Sequence, residues 1–272
     1  MIVTATIDGY AIHAKANSTF VEEWGGLGTP DVREVSQPAP RRHGALVATS
    51  LFGPRVMPVR GWCGKVPGGS GGEAAAVAAF DTLKAKLWPE TSHALVIRRP
   101  GRAADEQLTV RLASDVSANV EAGGQVIRWG FELVAPDPLL YGTTLNVQAG
   151  TANTGTTIPT VGGTVPTPAI LQVRGPTVAG TLTLTNAAGQ AVSLTSVPVL
   201  AAYSAGNPAT FFDVYLGDRE VDYQGVTRPS WVVAASTTWW RLPVGSSVTV
   251  TMGGTARASG TRLAVYWREA RI

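Results

Sequence analysis

The sequence predicts a mainly β protein with one α-helix: an N-terminal β-barrel or sandwich-like domain followed by a C-terminal β-sandwich. Three observations predict it. Apolar residues at helical spacing occur once, over residues 72–88. Elsewhere, short apolar runs alternate with Gly- and Pro-rich turns, which is the pattern of strands. Between the two halves lies an uncharged Gly/Thr/Pro-rich stretch, 146–167, which reads as a crossover. It separates a domain at 1–145 from one at 168–272, and 272 residues suit two domains.

In the first half, Thr4–Ile7, Asp8-Gly9 and Tyr10–His13 predict a hairpin, since Asp-Gly suits a type I′ turn. Arg33–Ser36, Ala45–Phe52 and Val56–Cys63 predict strands, with Pro58 marking an edge or a bulge. The helix at 72–88 carries a stripe of Val77, Phe80, Leu83, Leu87 and Trp88. Ser70 and Glu73 fit a capping box, Lys84 and Lys86 suit the negative end of the helix dipole, and Pro89 stops it. Strands resume at Ala94–Arg99, Gln107–Ser114 and Gln125–Val134. In the last of these, Ile127, Trp129 and Phe131 form one apolar face.

In the second half, Thr181, Thr183 and Thr185 alternate with Leu182 and Leu184, as in a half-buried strand. A turn at Asn186–Gly189 leads to a return strand at Ala191–Leu194. Further strands are predicted at Phe211–Leu216, Arg219–Tyr223, Trp231–Ala234, Trp239–Leu242, Ser247–Met252 and Arg262–Arg268. Short strands at this spacing point to a sandwich.

Charge excludes several function classes. Residues 1–145 carry 14 Lys+Arg and 14 Asp+Glu, and residues 146–272 carry 8 against 5, so the net +3 arises in the second half. These charges are scattered without a basic, aromatic-interleaved cluster, so no nucleic-acid groove is expected. No apolar run is long enough to span a membrane. Asp8 interrupts the N-terminus before a secretory signal can build. One cysteine, Cys63, permits no intrachain disulfide, which agrees with folding in a reducing cytoplasm. Only 15% of residues are charged and the mean hydropathy is +0.11. Either the core is large or neighbouring subunits cover apolar surface.

No catalytic, cofactor or metal site is expected. His13, His43 and His93 are far apart, and none pairs with Cys63 at metal-ligand spacing. Gly69-Ser-Gly71-Gly-Glu73-Ala74 has the form of a dinucleotide loop, but Glu73 would repel a pyrophosphate there, so it reads as a loop and helix cap. Asp213, Asp218 and Asp222 read as acids around a hairpin turn rather than calcium ligands. The candidates left are aromatic. Trp231, Trp239 and Trp240, near Tyr266 and Trp267, are contacts for carbohydrate or a partner protein if exposed, and core if not.

Four stretches, at the ends of the two domains, carry a resemblance. Ile127-Arg-Trp-Gly-Phe-Glu-Leu-Val-Ala-Pro-Asp-Pro-Leu-Leu-Tyr141 runs a strand into an acidic-proline turn and a tyrosine. Leu216-Gly-Asp-Arg219, Trp239-Trp-Arg-Leu-Pro-Val-Gly245 and Val265-Tyr-Trp-Arg268 follow in order. The chain resembles the siphophage distal tail protein family over nearly its whole length. That resemblance implies a galectin-like C-terminal sandwich and no catalytic residues. It also implies a hexameric ring in the virion tail, in contact with the tail tube protein, the tip hub protein and the tape-measure protein. The first domain, with charges of both signs, is expected to build the ring. Another tail tube or baseplate protein, or a monomeric carbohydrate-binding module, are the alternatives.

Overall fold

The computed structural model describes residues 4–33, 36–38, 45–47, 51–64, 72–121, 123, 125–151 and 153–272. The chain divides into two compact units, Met1–Thr143 with Ile272, and Thr144–Arg271.

In the first unit, β1 (Thr4–Ile7), β2 (Tyr10–Ala11), β3 (Thr19–Trp24), β4 (Val32–Arg33), β5 (Ser36–Pro38), β6 (Ala45–Val47), β7 (Leu51–Phe52) and β8 (Arg55–Gly64) precede the helix α1 (Glu73–Ala85). After it come β9 (His93–Arg98), β10 (Glu106–Leu112), β11 (Ser117–Glu121), β12 (Val126–Ala135) and β13 (Leu140–Gly142). The antiparallel sheet runs β2-β1-β9-β10-β12-β8-β3, with β13 added to β10 and β11 to β12. Its path stays open among the described residues, so the sandwich-like form holds rather than a closed barrel. β10 joins the two halves: Glu106–Val110 pair with β9, while Arg111 and Leu112 pair with β12. The hairpin turn at Asp8-Gly9 has positive φ at both residues, as a type I′ turn requires.

The inward residues of both halves share one core with α1. Ile127, Trp129, Phe131 and Leu133 of β12 alternate into it, facing Met57, Val59 and Cys63 of β8. Gly61 lies opposite Trp129, where a Cβ would overlap both the indole and the Phe20 carbonyl. Only glycine lets the strands pass so closely.

The helix is shorter than predicted, and its buried face is turned. Ala76, Ala79, Phe80, Leu83 and the following Leu87 are buried, at the spacing of one helical face. Val77 is 42% exposed and Trp88 59%, so neither belongs to that face. Alanines approach the sheet more closely than the larger Val77 could. Gly72 is the N-cap and offers no side chain, while Ser70 of the predicted capping box lies outside the described residues.

Pro58, predicted to mark an edge or a bulge, sits in an interior strand, and the register shift of the β3–β8 pairing falls between Val21 and Glu23, opposite Gly61 and Arg60. β8 pairs with β12 without a break from Arg55 to Gly64. The carbonyl of Pro58 accepts from Gly25 N at 2.8 Å, just past the end of β3. A residue's N–H and C=O point to the same side of its strand. The missing donor therefore faces the place where β3 has ended.

Arg55 occupies an inward position of β8 and is only 2% exposed. Its Nε donates to Pro138 O at 2.9 Å and its Nη1 to Gly26 O at 2.8 Å, with Gly28 O as a further partner. Nearby, Arg99 holds the fully buried Glu106 by two hydrogen bonds, 2.6 and 2.9 Å. Burial, with Arg99 alongside, pushes the Arg55 guanidinium below its ordinary pKa, and Glu106 opposes that shift.

The second unit is a sandwich. One sheet runs β14 (Asn146–Ala149), β23 (Arg262–Trp267), β16 (Ala169–Arg174), β19 (Phe211–Tyr215), β20 (Glu220–Tyr223), β21 (Val226–Thr227). The other runs β15 (Gly155–Ile158), β22 (Val248–Gly253), β17 (Gly180–Asn186), β18 (Ala191–Val197). Leu171, Val173, Phe212, Val214 and Val265 meet Leu182, Leu184, Leu194, Val250 and Met252 in its core. β24 (Ala270–Arg271) makes bridges to Gly163 and Val165.

The central strand β16 has no counterpart in the sequence reading, and two further departures concern this unit. Asn146–Ala149 and Gly155–Ile158, assigned to the crossover, are sheet strands at edges, where one side needs no partner and an apolar repeat is not required. The segments 231–234 and 239–242, read as strands, are irregular, with single 3-10 turns at Pro229–Trp231 and Ala234–Ser236. Residues 233–238 cover the edge of β18 instead, with Val233 N donating to Ser193 O and Thr238 N to Ala191 O, while Leu242 pairs with Thr167. Covering an edge this way blocks its pairing with other chains.

These packings give two expected outcomes in chemical denaturation. Phe80→Ala costs about 3–5 kcal/mol, as for a buried aromatic, whereas Val77→Ala costs less than about 1 kcal/mol. Arg55→Met strands carbonyls of Gly26, Gly28 and Pro138 and costs about 3 kcal/mol or more. Equal costs for Phe80→Ala and Val77→Ala, or a neutral Arg55→Met, contradict this packing.

Candidate functional site

The groups with catalytic or ligating chemistry serve the fold. His93 is buried, with Nδ1 2.7 Å from Asp8 Oδ2 and Nε2 2.8 Å from Trp88 O. Burial works to raise the Asp8 pKa, but the hydrogen bonds from His93 and Ala94 outweigh it and hold the carboxyl below its usual value. His13 Nδ1 accepts from Val21 N of β3 at 3.1 Å. Cys63 is buried, and desolvation pushes its thiol pKa up, away from reactivity. Among the described residues no three His, Cys, Asp or Glu side chains gather as a metal site. His43 and Gly69–Gly71 lie outside the described residues.

Asp213 and Asp222 face each other across β19 and β20, while Asp218 stays in the turn. Asp213 accepts from Gln172 Nε2 at 3.0 Å, and Gln172 Oε1 takes Arg174 Nε at 2.8 Å and the Tyr266 hydroxyl at 3.2 Å. Desolvation raises the Asp213 pKa. Its Gln172 bond opposes that, Asp222 adds to it and Arg174 works against it.

The three tryptophans have different fates. Trp240 is 4% exposed and belongs to the core. Trp231 is half-buried against Phe212 and Tyr223, at ring distances of 5.7 Å each. Trp239 is half-buried on the rim of the same core. It lines a cleft with Leu216, Gly217, Arg219, Trp240 and Arg241. Sequence reasoning missed these arginines, because the turn carrying Arg219 lies well before the tryptophans in the chain.

The first unit presents an unpaired sheet edge and a separate arm among the described residues. β11 is an edge strand, and Ser117 to Val120 are all exposed, Val120 at 63%. It pairs only with β12, leaving one row of backbone groups open among the described residues. On the outward face, Arg128 binds Glu22 and Glu121 at 2.7 and 2.9 Å. A second feature is an arm in which β4 pairs with β7 and β5 with β6, nested, and neither pair joins another strand among the described residues. Two isolated strands are at best marginally stable in water, so such an arm needs a surface to lie on.

No protein-family model matches the chain, and no curated protein sequence matches it. Solved structures do. SPP1 Dit, titled a paradigm of the hub adsorption apparatus in phages infecting Gram-positive bacteria, aligns with a TM-score of 0.65 at 15% identity, covering 99% of both chains. The chain has the Dit fold. The phage P2 baseplate in its activated conformation with calcium matches at TM-score 0.54 and 7% identity, over 99% of this chain and 98% of that one. The strontium form matches at 0.51 and 6%, over 96% and 97%. At such identity the likeness to Dit resides in the fold, not in shared side chains.

The Asp213 environment makes a pH-dependent prediction. Its raised pKa means that, between the ordinary carboxylate value and the folded value, the unfolded chain is ionised while the folded chain keeps its proton. Stability therefore falls as pH rises through that window and stays lower at neutral pH. Asp213→Asn, whose carbonyl still accepts from Gln172, raises Tm at neutral pH, and the gain disappears at acid pH. A lower Tm at neutral pH means the carboxylate is a net stabiliser.

Proposed function

We propose that this chain is a non-enzymatic structural protein of the tail tip of a long-tailed bacteriophage. It forms a ring that joins the tail tube to the host-adsorption complex. One observation carries the reading: the end-to-end match to Dit over 99% of both chains. Family resemblance sets the ring at six copies, and the tail tube protein, tip hub protein and tape-measure protein as its neighbours. Assembly takes place in the host cytoplasm, with which one free cysteine agrees.

The first unit, residues 1–145 in the sequence reading, carries the ring. A closed ring of identical copies needs head-to-tail contacts between two different surfaces. The open β11 edge supplies one such surface and the self-paired arm another. Exposed Val120, Trp88 and Val77 suit burial by a neighbour, in keeping with the low charge and positive mean hydropathy of the chain.

Native mass measurement of the purified chain tests this. Wild type gives a closed oligomer. Val120→Lys combined with Asn119→Lys places charge on the edge, and edge charge blocks strand pairing. This variant gives single copies with an unchanged Tm. A wild-type chain that stays single at high concentration contradicts the ring, and an intact oligomer of the variant contradicts the edge.

A further inference from the structure

We propose that the cleft beside Trp239 in the second unit is a binding site for an anionic saccharide: one sugar ring carrying a phosphate or a carboxylate. Two walls form it. One is the Leu216–Arg219 turn between β19 and β20, and the other is the Trp239–Arg241 segment. Its volume of about 270 Å³ suits a single ring and its substituent.

The walls are fixed by a shared anchor. Leu216 N donates to Ala169 O at 3.0 Å. Leu242 N donates to Thr167 O at 2.9 Å, and Thr167 N returns a bond to Leu242 O at 3.0 Å. Between these, Pro168 packs so closely on Gly217 that a Cβ there would come within 2.9 Å of its ring. A three-residue segment thus holds both walls, and the cleft exists before any ligand arrives, which lowers the ordering cost of binding.

The chemistry of the lining selects the ligand. Arg219 and Arg241 are exposed, and neither side chain has an ion-pair or hydrogen-bond partner among the described residues. Arg219 is held at φ +62°, a left-handed conformation that an ordinary side chain adopts only at a cost. Two free guanidinium groups at one opening are an anion-binding pair, since their forked donors match phosphate and carboxylate oxygens. Asp218 and Glu220 flank Arg219 in sequence but do not line the cleft. Trp239 adds a flat apolar surface whose other side rests on the core. A sugar ring lays its C–H groups on such a face, and a bare inorganic anion makes no use of it. Two arginines are too few to hold a nucleic-acid backbone, whose binding rests on many phosphate contacts.

All six lining residues come from one copy. The test is calorimetric titration of the full chain with glucose 1-phosphate, glucuronate, glucose, inorganic phosphate and adenosine monophosphate. The two charged sugars bind, and glucose or inorganic phosphate alone binds about tenfold more weakly or worse. Arg219→Ala with Arg241→Ala lowers the charged-sugar affinity about tenfold with an unchanged thermal melt. The proposal is overturned if inorganic phosphate binds as tightly as the sugars, or if adenosine monophosphate binds more tightly. It is equally overturned if the double variant binds as wild type does, or if no probe binds at millimolar concentration.

Discussion

The buried guanidinium of Arg55 is the constraint around which the first unit is arranged. A charge taken out of water is costly unless its donors are matched. Here Nε and Nη1 are matched by main-chain carbonyls from two distant loops, Gly26–Gly28 and the Pro138 turn, while Nη2 is buried without a hydrogen-bond partner among the described residues. An apolar residue at this position could fill the space but could not tie those loops together. The loop at Gly26–Gly28 leads from β3 into the arm that begins at Val32. The Pro138 turn follows β12, the strand on which the open edge β11 is built. Arg55 thus ties together, from within the core, the loop that leads into the arm and the turn that follows β12. Gly26 is part of the same device: its φ of +70° and its overlap with the Val56 carbonyl, were a Cβ present, leave room only for glycine.

The motif that carried the family resemblance has a physical basis in the same place. Asp137 Oδ1 accepts from Leu139 N at 3.1 Å, and Asp137 Oδ2 accepts from the Tyr141 hydroxyl at 2.6 Å. The acid closes the turn, the tyrosine locks it, and the carbonyl of Pro138 is left facing Arg55. The turn was legible because proline, aspartate and tyrosine stand together in the sequence. Its partner was not, because Arg55 stands just before the apolar run Val56–Val59 and looks like any surface arginine. A buried ionic partner distant in sequence leaves no local signal.

Other elements were legible in proportion to how far local chemistry decides them. The alternation in β12 and the threonine alternation in β17 reflect one buried face each, and both strands formed where the pattern placed them. The helix was legible, but its rotation was not: Val77 and Trp88 look more apolar than Ala76 and Ala79, yet close packing favours the alanines. β14 and β15 were missed because edge strands made of Asn, Gln, Thr and Gly carry no apolar repeat. The segments around Trp231 and Trp239 were read as strands, when Trp240 and Leu242 plug the core and residues 233–238 follow the edge of β18. The cleft at Trp239 was half-visible, since the aromatic residues stand out and the arginine brought to them by a turn does not.

Cryo-electron microscopy of the assembled full-length chain tests the central claim that the first unit closes a ring through its open edge. The account predicts a closed ring in which β11 of each copy lies one strand spacing, about 4.8 Å, from the first unit of the next copy. A ring held through the second units with every β11 edge exposed to solvent, or particles of single copies only, contradicts it.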